Sequence, residues 1–249
     1  MVDPVIFTIG SLEVRWYGVI LAGAFLVGAF MAAKLAEKRN IKKDDIYDFM
    51  AYLILASIIG ARIAHILGDL SYYLENPFQM LAIWNGGLTF YGGFLGAIIV
   101  GYYYCKKKNI AFYDLADIFV IPLSFGIIFG RIGNFINGEL YGKVTDLPWG
   151  VNVPNVEGKR HPSQLYESFK NLIIFSTTLY LYKFKELPKG FIFWTFVLMY
   201  SSLRFVAEFF RDWPTYLFGL TKIQLMSIPL AIFAGYMLLK LRSKINVSE

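Results

Sequence analysis

Residues 120–142 read VIPLSFGIIFGRIGNFINGELYG, an apolar run that ends in an arginine, two asparagines and a glutamate. Arg131 comes two residues after Phe129, still within reach of a bilayer. An arginine at that depth costs roughly 2.5–3.5 kcal/mol on insertion scales, so it faces the protein interior and meets a partner or a ligand. The stretch is therefore read as a membrane helix whose polar end holds a cation. It raises the question of which negative group that cation meets.

The composition of the whole chain agrees with a membrane solvent. Of 249 residues, 57% are hydrophobic, 18% aromatic and only 17% charged, too apolar for an ordinary soluble domain of this length. A single cysteine, Cys105, excludes an internal disulfide and a cysteine metal cluster. His65 and His161 lie too far apart in sequence to suggest a zinc site, so neither a metal nor a cofactor is expected. The opening MVDPVIFTIG has no basic n-region, and no cleaved signal peptide is read from it.

A membrane span needs about 20 largely apolar residues. Seven stretches qualify, near 16–36, 46–68, 87–105, 114–136, 162–182, 190–210 and 222–241, and the second, fourth and fifth carry polar residues. Basic residues set the orientation. Lys34, Lys38, Arg39, Lys42 and Lys43 follow the first stretch, and Lys106, Lys107 and Lys108 the third. Lys183, Lys185 and Lys189 follow the fifth, and Lys240, Arg242 and Lys244 the last, whereas residues 69–86 contain no Lys or Arg. By the positive-inside rule the N-terminus lies outside and the C-terminus in the cytoplasm. The net charge of +6 is thus mostly a topology signal, not a nucleic-acid footprint. The expectation is an all-α integral membrane protein with seven transmembrane helices. Residues 1–249 form a single polytopic domain with a small outer head loop at about 137–161.

With that topology, 1.5 Å of rise per residue sets depth. Arg131 lies roughly 25 Å up its outward-running helix and Arg204 roughly 21 Å up the sixth. Tyr17, Tyr91 and the polar face of Gln164, Glu167, Ser168 and Asn171 reach a similar level. Tyr200, Arg204, Glu208 and Arg211 recur at i, i+4, i+8 and i+11, one stripe of a helix, and Asp117, Ser124, Arg131 and Asn134, at i, i+7, i+14 and i+17, form a comparable stripe on another. Gly92 with Gly96, and Gly126 with Gly130, have the spacing that lets a neighbouring helix approach closely.

Plain structural readings stand beside the functional ones. Arg204 with Glu208 forms either an internal ion pair or part of an anion site. Arg211 and Lys170 read as snorkelling residues, and Tyr17 and Tyr91 serve equally well as aromatic-belt anchors. His161 before Pro162 reads as a helix start with proline in its first position.

Taken together, these residues resemble the phosphatidylglycerol–prolipoprotein diacylglyceryl transferases of bacterial inner membranes. The strongest likeness is GRIGNFINGELYG at 130–142, supported by WYG at Trp16–Gly18, GAR at Gly60–Arg62, FYGG at Phe90–Gly93, HPSQLYE at His161–Glu167 and RFVAEFFR at Arg204–Arg211. The resemblance implies a multi-pass inner-membrane enzyme with its site toward the outer, periplasmic half. Its implied partners are phosphatidylglycerol, membrane lipids and prolipoprotein signal peptides with a lipobox cysteine, and no nucleic acid. It would move diacylglyceryl to the cysteine thiol, forming a thioether and releasing glycerol 1-phosphate, the first step of lipoprotein maturation. The family often has histidine in the F-H-G-G pattern, where this chain has Tyr91, so a base assigned from that histidine does not transfer.

On this reading Arg131 and Arg204 hold the departing phosphate by bidentate, charge-assisted bonds. Asn134, Asn137 or Glu139 orient the phosphate or glycerol hydroxyls, and Glu208 orients Arg204. Tyr91 completes the expected catalytic set, while Gly142, Tyr17, Tyr200, Arg211 and Gln164 join the expected substrate-binding set. The nucleophile belongs to the substrate, and a thiol of pKa ≈ 8.5 is already a few per cent thiolate at neutral pH. The main rival is a transporter or flippase for an anionic lipid or solute, which also places arginines inside a helical bundle. This sequence shows neither the internal repeats nor the broken helices such folds commonly have.

Overall fold

The computed structural model describes residues 3–10 and 12–245. The extreme ends, whose sides of the membrane the basic loops were used to assign, lie outside those residues. The chain opens with a hairpin, β1 (Val5–Ile9) and β2 (Leu12–Arg15), an element the hydropathy reading did not anticipate. Gly10, at φ 62°, supplies the left-handed backbone between the two strands.

Helices then occupy all seven apolar stretches. They are α1 (Trp16–Ala36), α2 (Lys43–Gly68), a short α3 (Leu70–Glu75), α4 (Phe90–Lys108) and α5 (Phe112–Ile136). After two small strands, β3 (Val151–Asn152) and β4 (Lys159–Arg160), come α6 (Ser163–Phe184), α7 (Phe191–Ala207) and α8 (Lys222–Ile245). Among the described residues five helices are long and apolar enough to cross a membrane: α1, α2, α5, α7 and α8, the first and fourth extended by a 3₁₀ turn. The other two carry more polar residues. Three tyrosines and three lysines crowd the C-terminal end of α4, and α6 contains Gln164, Glu167, Lys170 and Asn171.

The chain divides into two compact units, residues 33–115 and the remainder, 1–32 with 116–249. In the first, α2 and α4 pack backbone to backbone. A side chain at Gly60 would collide with the Gly92 carbonyl, and one at Gly96 with the Ala56 carbonyl, so the glycine spacing on α4 works as expected. Buried Arg62 fixes the connection between them. Its guanidinium donates to the carbonyls of Met80 (3.0 Å), Gly86 (2.7 Å), Gly87 (3.0 Å) and Gln79. With the Ala82 carbonyl at 3.5 Å, five carbonyls satisfy an arginine that no carboxylate reaches among the described residues, which makes Arg62 a structural clamp.

The second unit contains α6, α7, α8 and most of α1 and α5. Gly126 and Gly130 do not receive a close helix, contrary to the spacing argument. Nothing would touch a methyl at Gly126, and only the tip of Leu21 comes within 3.9 Å of one at Gly130. The close approach occurs one turn along, where Gly133 faces the Tyr17 ring at 2.7 Å from an added Cβ. Asp117, expected on a polar stripe, is a helix cap. Its carboxylate accepts from the backbone N–H groups of Gly190 and Phe193, each at 2.8 Å, at the positive end of α7. At α8, Thr221 and Gln224 form a reciprocal capping box. The Thr221 N–H donates to Gln224 Oε1 (2.9 Å) and the Gln224 N–H to Thr221 Oγ1 (3.2 Å).

Candidate active site

The site starts where α5 stops. Gly138 takes φ 71°, its N–H donating to the Phe135 carbonyl, while the Glu139 N–H reaches back to the Asn134 carbonyl. These two bonds are the Schellman ending, and only glycine enters that left-handed position without strain. The turn brings Asn134, Asn137 and Glu139 together: Asn134 Nδ2 donates to Glu139 Oε1 at 2.8 Å and Asn137 Nδ2 at 3.4 Å. Leu140 follows at φ 59°, an uncommon conformation for a leucine. α6 holds it there, with Ser163 Oγ donating to the Leu140 carbonyl (2.8 Å) and Gln164 Nε2 to the Glu139 carbonyl (2.5 Å). Ser163, not Pro162, is the first residue of α6, so the proline stands one position earlier than expected.

The head loop then runs between two neighbours. The Gly142 N–H donates to the His161 carbonyl (2.9 Å), His161 returns a bond to Lys143 (3.0 Å), and the Lys143 N–H donates to Phe210 (3.0 Å). Gly142 also bridges Arg211 in antiparallel fashion. A side chain at Gly142 would strike the Phe210 carbonyl and lie 2.8 Å from His161 Cβ. Gly142, placed among binding residues by its sequence, thus acts through close packing. Nearby, His161 Nδ1 meets the Tyr166 hydroxyl at 3.1 Å, which also accepts from Trp149 Nε1 at 2.8 Å. Burial holds the His161 imidazole below its usual pKa.

This pairing corrects the reading of Arg211. The helix ends at Ala207, residues 208–210 tighten into a 3₁₀ turn, and Arg211 is extended at φ −92°, ψ 147°. Arg211 therefore leaves the stripe of α7 and is not an interfacial snorkeller. It is 2% exposed, and its Nε and Nη1 have no hydrogen-bond partner among the described residues. Burial, with the like charges of Arg204 and Arg131, lowers its pKa to about 10, so it stays charged at neutral pH.

Inside the helices a ladder of charges runs from α6 to α8. Lys170 Nζ lies 2.8 Å from Glu167 Oε2, and Glu167 Oε1 accepts from Arg204 Nη1 at 2.5 Å. Arg204 Nη2 in turn sits 2.8 Å from Glu208 Oε2 as an ion pair, without hydrogen-bond alignment. Thr221 Oγ1 closes the series with a bond to Glu208 Oε1 at 3.1 Å. Two cations and two carboxylates balance. Lys170 is 5% exposed, with its Nζ 4.1 Å from the Tyr200 ring centroid, so it does not snorkel.

Arg131 stands outside that balance. It is half-buried, within electrostatic reach of Glu167, Lys170, Tyr200 and Arg211, yet has no hydrogen bond or ion pair among the described residues. Among the described residues, neither Arg131 nor Arg211 thus has a carboxylate partner. The amide oxygens of Asn137 and Gln164 are also buried without donors. Such an arrangement can hold an anion carrying hydroxyl groups. Tyr17 lies on Gly133 of the same unit. Tyr91, by contrast, belongs to the other unit and is 70% exposed at the start of α4. That Glu167 shares Arg204 with Glu208 is not legible from helical spacing. The T-x-x-Q of Thr221–Gln224 was a readable cap signal that periodicity alone overlooked.

Residues 4–240 match the family model described as prolipoprotein diacylglyceryl transferase. A Geobacter sulfurreducens protein named phosphatidylglycerol–prolipoprotein diacylglyceryl transferase is 43% identical over 215 residues, which cover 85% of this chain and 83% of that protein. A Nitratidesulfovibrio vulgaris protein of the same name is 41% identical, covering 95% of this chain and 94% of its own. A Finegoldia magna protein, again of that name, is 35% identical over 99% of both.

Proposed function

The chain belongs to the prolipoprotein diacylglyceryl transferase family, and from that premise we propose how its residues carry out the transfer. The protein is a transferase that moves diacylglyceryl from phosphatidylglycerol to a prolipoprotein. In the reading we favour, a lipobox cysteine of the signal peptide supplies the sulfur. The sulfur attacks the glycerol carbon bearing the phosphate, a C–S bond forms, and the C–O bond breaks. Its electrons leave with the phosphate as glycerol 1-phosphate, and the thiol proton passes to solvent or a nearby base.

One observation carries the assignment of roles: among the described residues Arg131 and Arg211 have no carboxylate partner, while Arg204 has two. The phosphate gathers negative charge as its ester bond breaks, and fixed donors in a dry site stabilise that charge without reorganising. Arg131 and Arg211 are the forks that grip it. Arg204 has its Nη atoms committed to Glu167 and Glu208, so its part is to fix the wall behind the phosphate. Asn134 and Asn137 hold Glu139, and the free amide oxygens of Asn137 and Gln164 accept from glycerol hydroxyls. Tyr17 and Tyr200 shape the site, and the Tyr91 hydroxyl serves as a donor rather than an obligatory base.

The membrane placement belongs to the same proposal. Seven helices cross the bacterial inner membrane, with the N-terminus outside and the C-terminus in the cytoplasm. The lysine-rich ends of α4 and α6, the basic residues after α1 and those at the end of α8 all fall on one side under that arrangement. The site then opens in the outer, periplasmic half.

The test mixes purified protein, phosphatidylglycerol and a lipobox peptide, followed by mass spectrometry of the peptide. A diacylglyceryl adduct on the cysteine is the expected result. Anion flux in liposomes with no adduct would replace the transferase with a transporter.

A further inference from the structure

Lys170 is a buried cation that the transfer chemistry above does not use. It lies on α6 one turn from Glu167, and no residue of the proposed phosphate site is bonded to it. Its ammonium is bounded by Glu167 Oε2 at 2.8 Å on one side and the face of Tyr200 at 4.1 Å on the other. Glu167 is 0% exposed, and each of its oxygens has one cation: Lys170 at Oε2, Arg204 at Oε1. Its backbone carbonyl is engaged as well, by Asn171 Nδ2 at 2.8 Å.

Resting on the transferase reading, we propose that Lys170 is a positioning residue of the transfer reaction, acting through Glu167 on Arg204. The physical reason lies in how a carboxylate divides itself. With Lys170 on Oε2, Glu167 offers Arg204 only Oε1, and the second guanidinium nitrogen stays with Glu208. Without Lys170, Oε2 is a buried acceptor with no donor, and the nearest way to satisfy it is a two-pronged grip on Arg204. That grip turns the guanidinium away from Glu208 and loosens the wall on which the phosphate rests. It also leaves the ladder one negative charge in excess beside Arg131 and Arg211. Lys170 meets the Tyr200 ring in the same place, so α6 and α7 are registered by one ammonium group.

The experiment compares turnover of the native protein with Lys170→Met, which keeps the stem but removes the charge, and Lys170→Arg, which restores it. Adduct formation by the native protein is the control: its absence sinks the transferase reading, not the role of Lys170. Lys170→Met, folded as judged by its melting curve in detergent, should lose roughly ten- to a hundredfold in kcat/KM, and Lys170→Arg should regain most of it. A folded Lys170→Met protein within twofold of native overturns the proposal. So does an equal loss with methionine and arginine, because packing and not charge would then be at work. If Lys170→Met does not fold, the double variant Glu167→Gln, Lys170→Met removes the stranded charge. It should match Glu167→Gln alone in turnover or, where both are inactive, in phosphatidylglycerol binding. A further tenfold loss in the double variant gives Lys170 a task independent of Glu167 and overturns the proposal.

Discussion

The backbone of Arg211 lies against that of Gly142 in an antiparallel bridge, so the head loop and not α7 sets where this guanidinium sits. Gly142 has no room for a Cβ between the Phe210 carbonyl and His161. Gly142→Ala should therefore displace the 210–211 strand, costing about 1–3 kcal/mol of stability by overpacking. Turnover should fall further than that loss of stability explains, because Arg211 moves with the strand. Melting in detergent and the adduct assay, run on the same preparation, measure the two effects.

Arg131 and Arg204 should part company when each is replaced by alanine. Arg131→Ala removes a side chain with no partner among the described residues, so stability should change by no more than about 0.5 kcal/mol. Its turnover should drop by roughly a hundredfold or more, with poor recovery in Arg131→Lys, whose point charge lacks the planar fork. Near-normal turnover in folded Arg131→Ala protein would remove it from the site.

Arg204→Ala leaves Glu167 with Lys170 alone and Glu208 with only Thr221, both carboxylates buried. Breaking a buried ion pair from one side costs about 3–5 kcal/mol, so this variant should melt far below the native protein. Pairing it with Glu208→Gln should recover part of that loss, since one stranded charge is removed. Full native stability in Arg204→Ala would mean that the ladder is not a structural element.

Tyr91 departs from the histidine common in the family. Tyr91→His should keep substantial activity, because a neutral imidazole can donate where the hydroxyl does. Tyr91→Phe should lose one hydrogen bond's worth, about 1–3 kcal/mol or roughly five- to 150-fold in rate. Complete loss with phenylalanine, and a pH–rate limb that histidine shifts downward, would instead make Tyr91 an obligatory base. An unchanged rate returns it to the aromatic belt.

His161 gives the head loop a pH dependence of defined sign. Burial lowers its folded-state pKa below the ordinary value of 6.5. The unfolded chain thus binds the proton first as pH falls, and stability should decline from pH 6.5 downward while staying flat above it. The melting temperature of the native protein against pH, compared with that of His161→Gln, isolates the effect. A decline of equal size in both proteins would assign it to other groups.

Hydropathy placed the helices without help from the fold. Each of the seven apolar stretches became a helix, and for the five long and apolar enough to cross a membrane the reason is that backbone groups in an apolar solvent must satisfy one another locally. The GRIGNFINGELYG stretch was legible for a similar reason. Helix exit at Gly138, and the cluster of Asn134, Asn137 and Glu139 beyond it, depend on residues within one turn of each other. Local chemistry is written in local sequence.

What the tertiary structure decided is which charges are spent on each other. Helical spacing put Arg204 and Glu208 on one stripe, and they do meet, yet the same spacing put Arg211 on that stripe and the 3₁₀ turn after Ala207 removed it. Glu167 looked like part of one more polar face of α6, and Lys170 like a snorkelling residue. The two meet one turn apart along α6 itself, but the pair of Glu167 with Arg204 depends on how close α6 and α7 pack. Periodicity fixes direction around one helix axis, but long side chains find partners across axes, where distance is set by packing. The sequence therefore determined the apolar helices and the family. The fold alone determined that Arg204 is neutralised and that, among the described residues, Arg131 and Arg211 are left without a carboxylate.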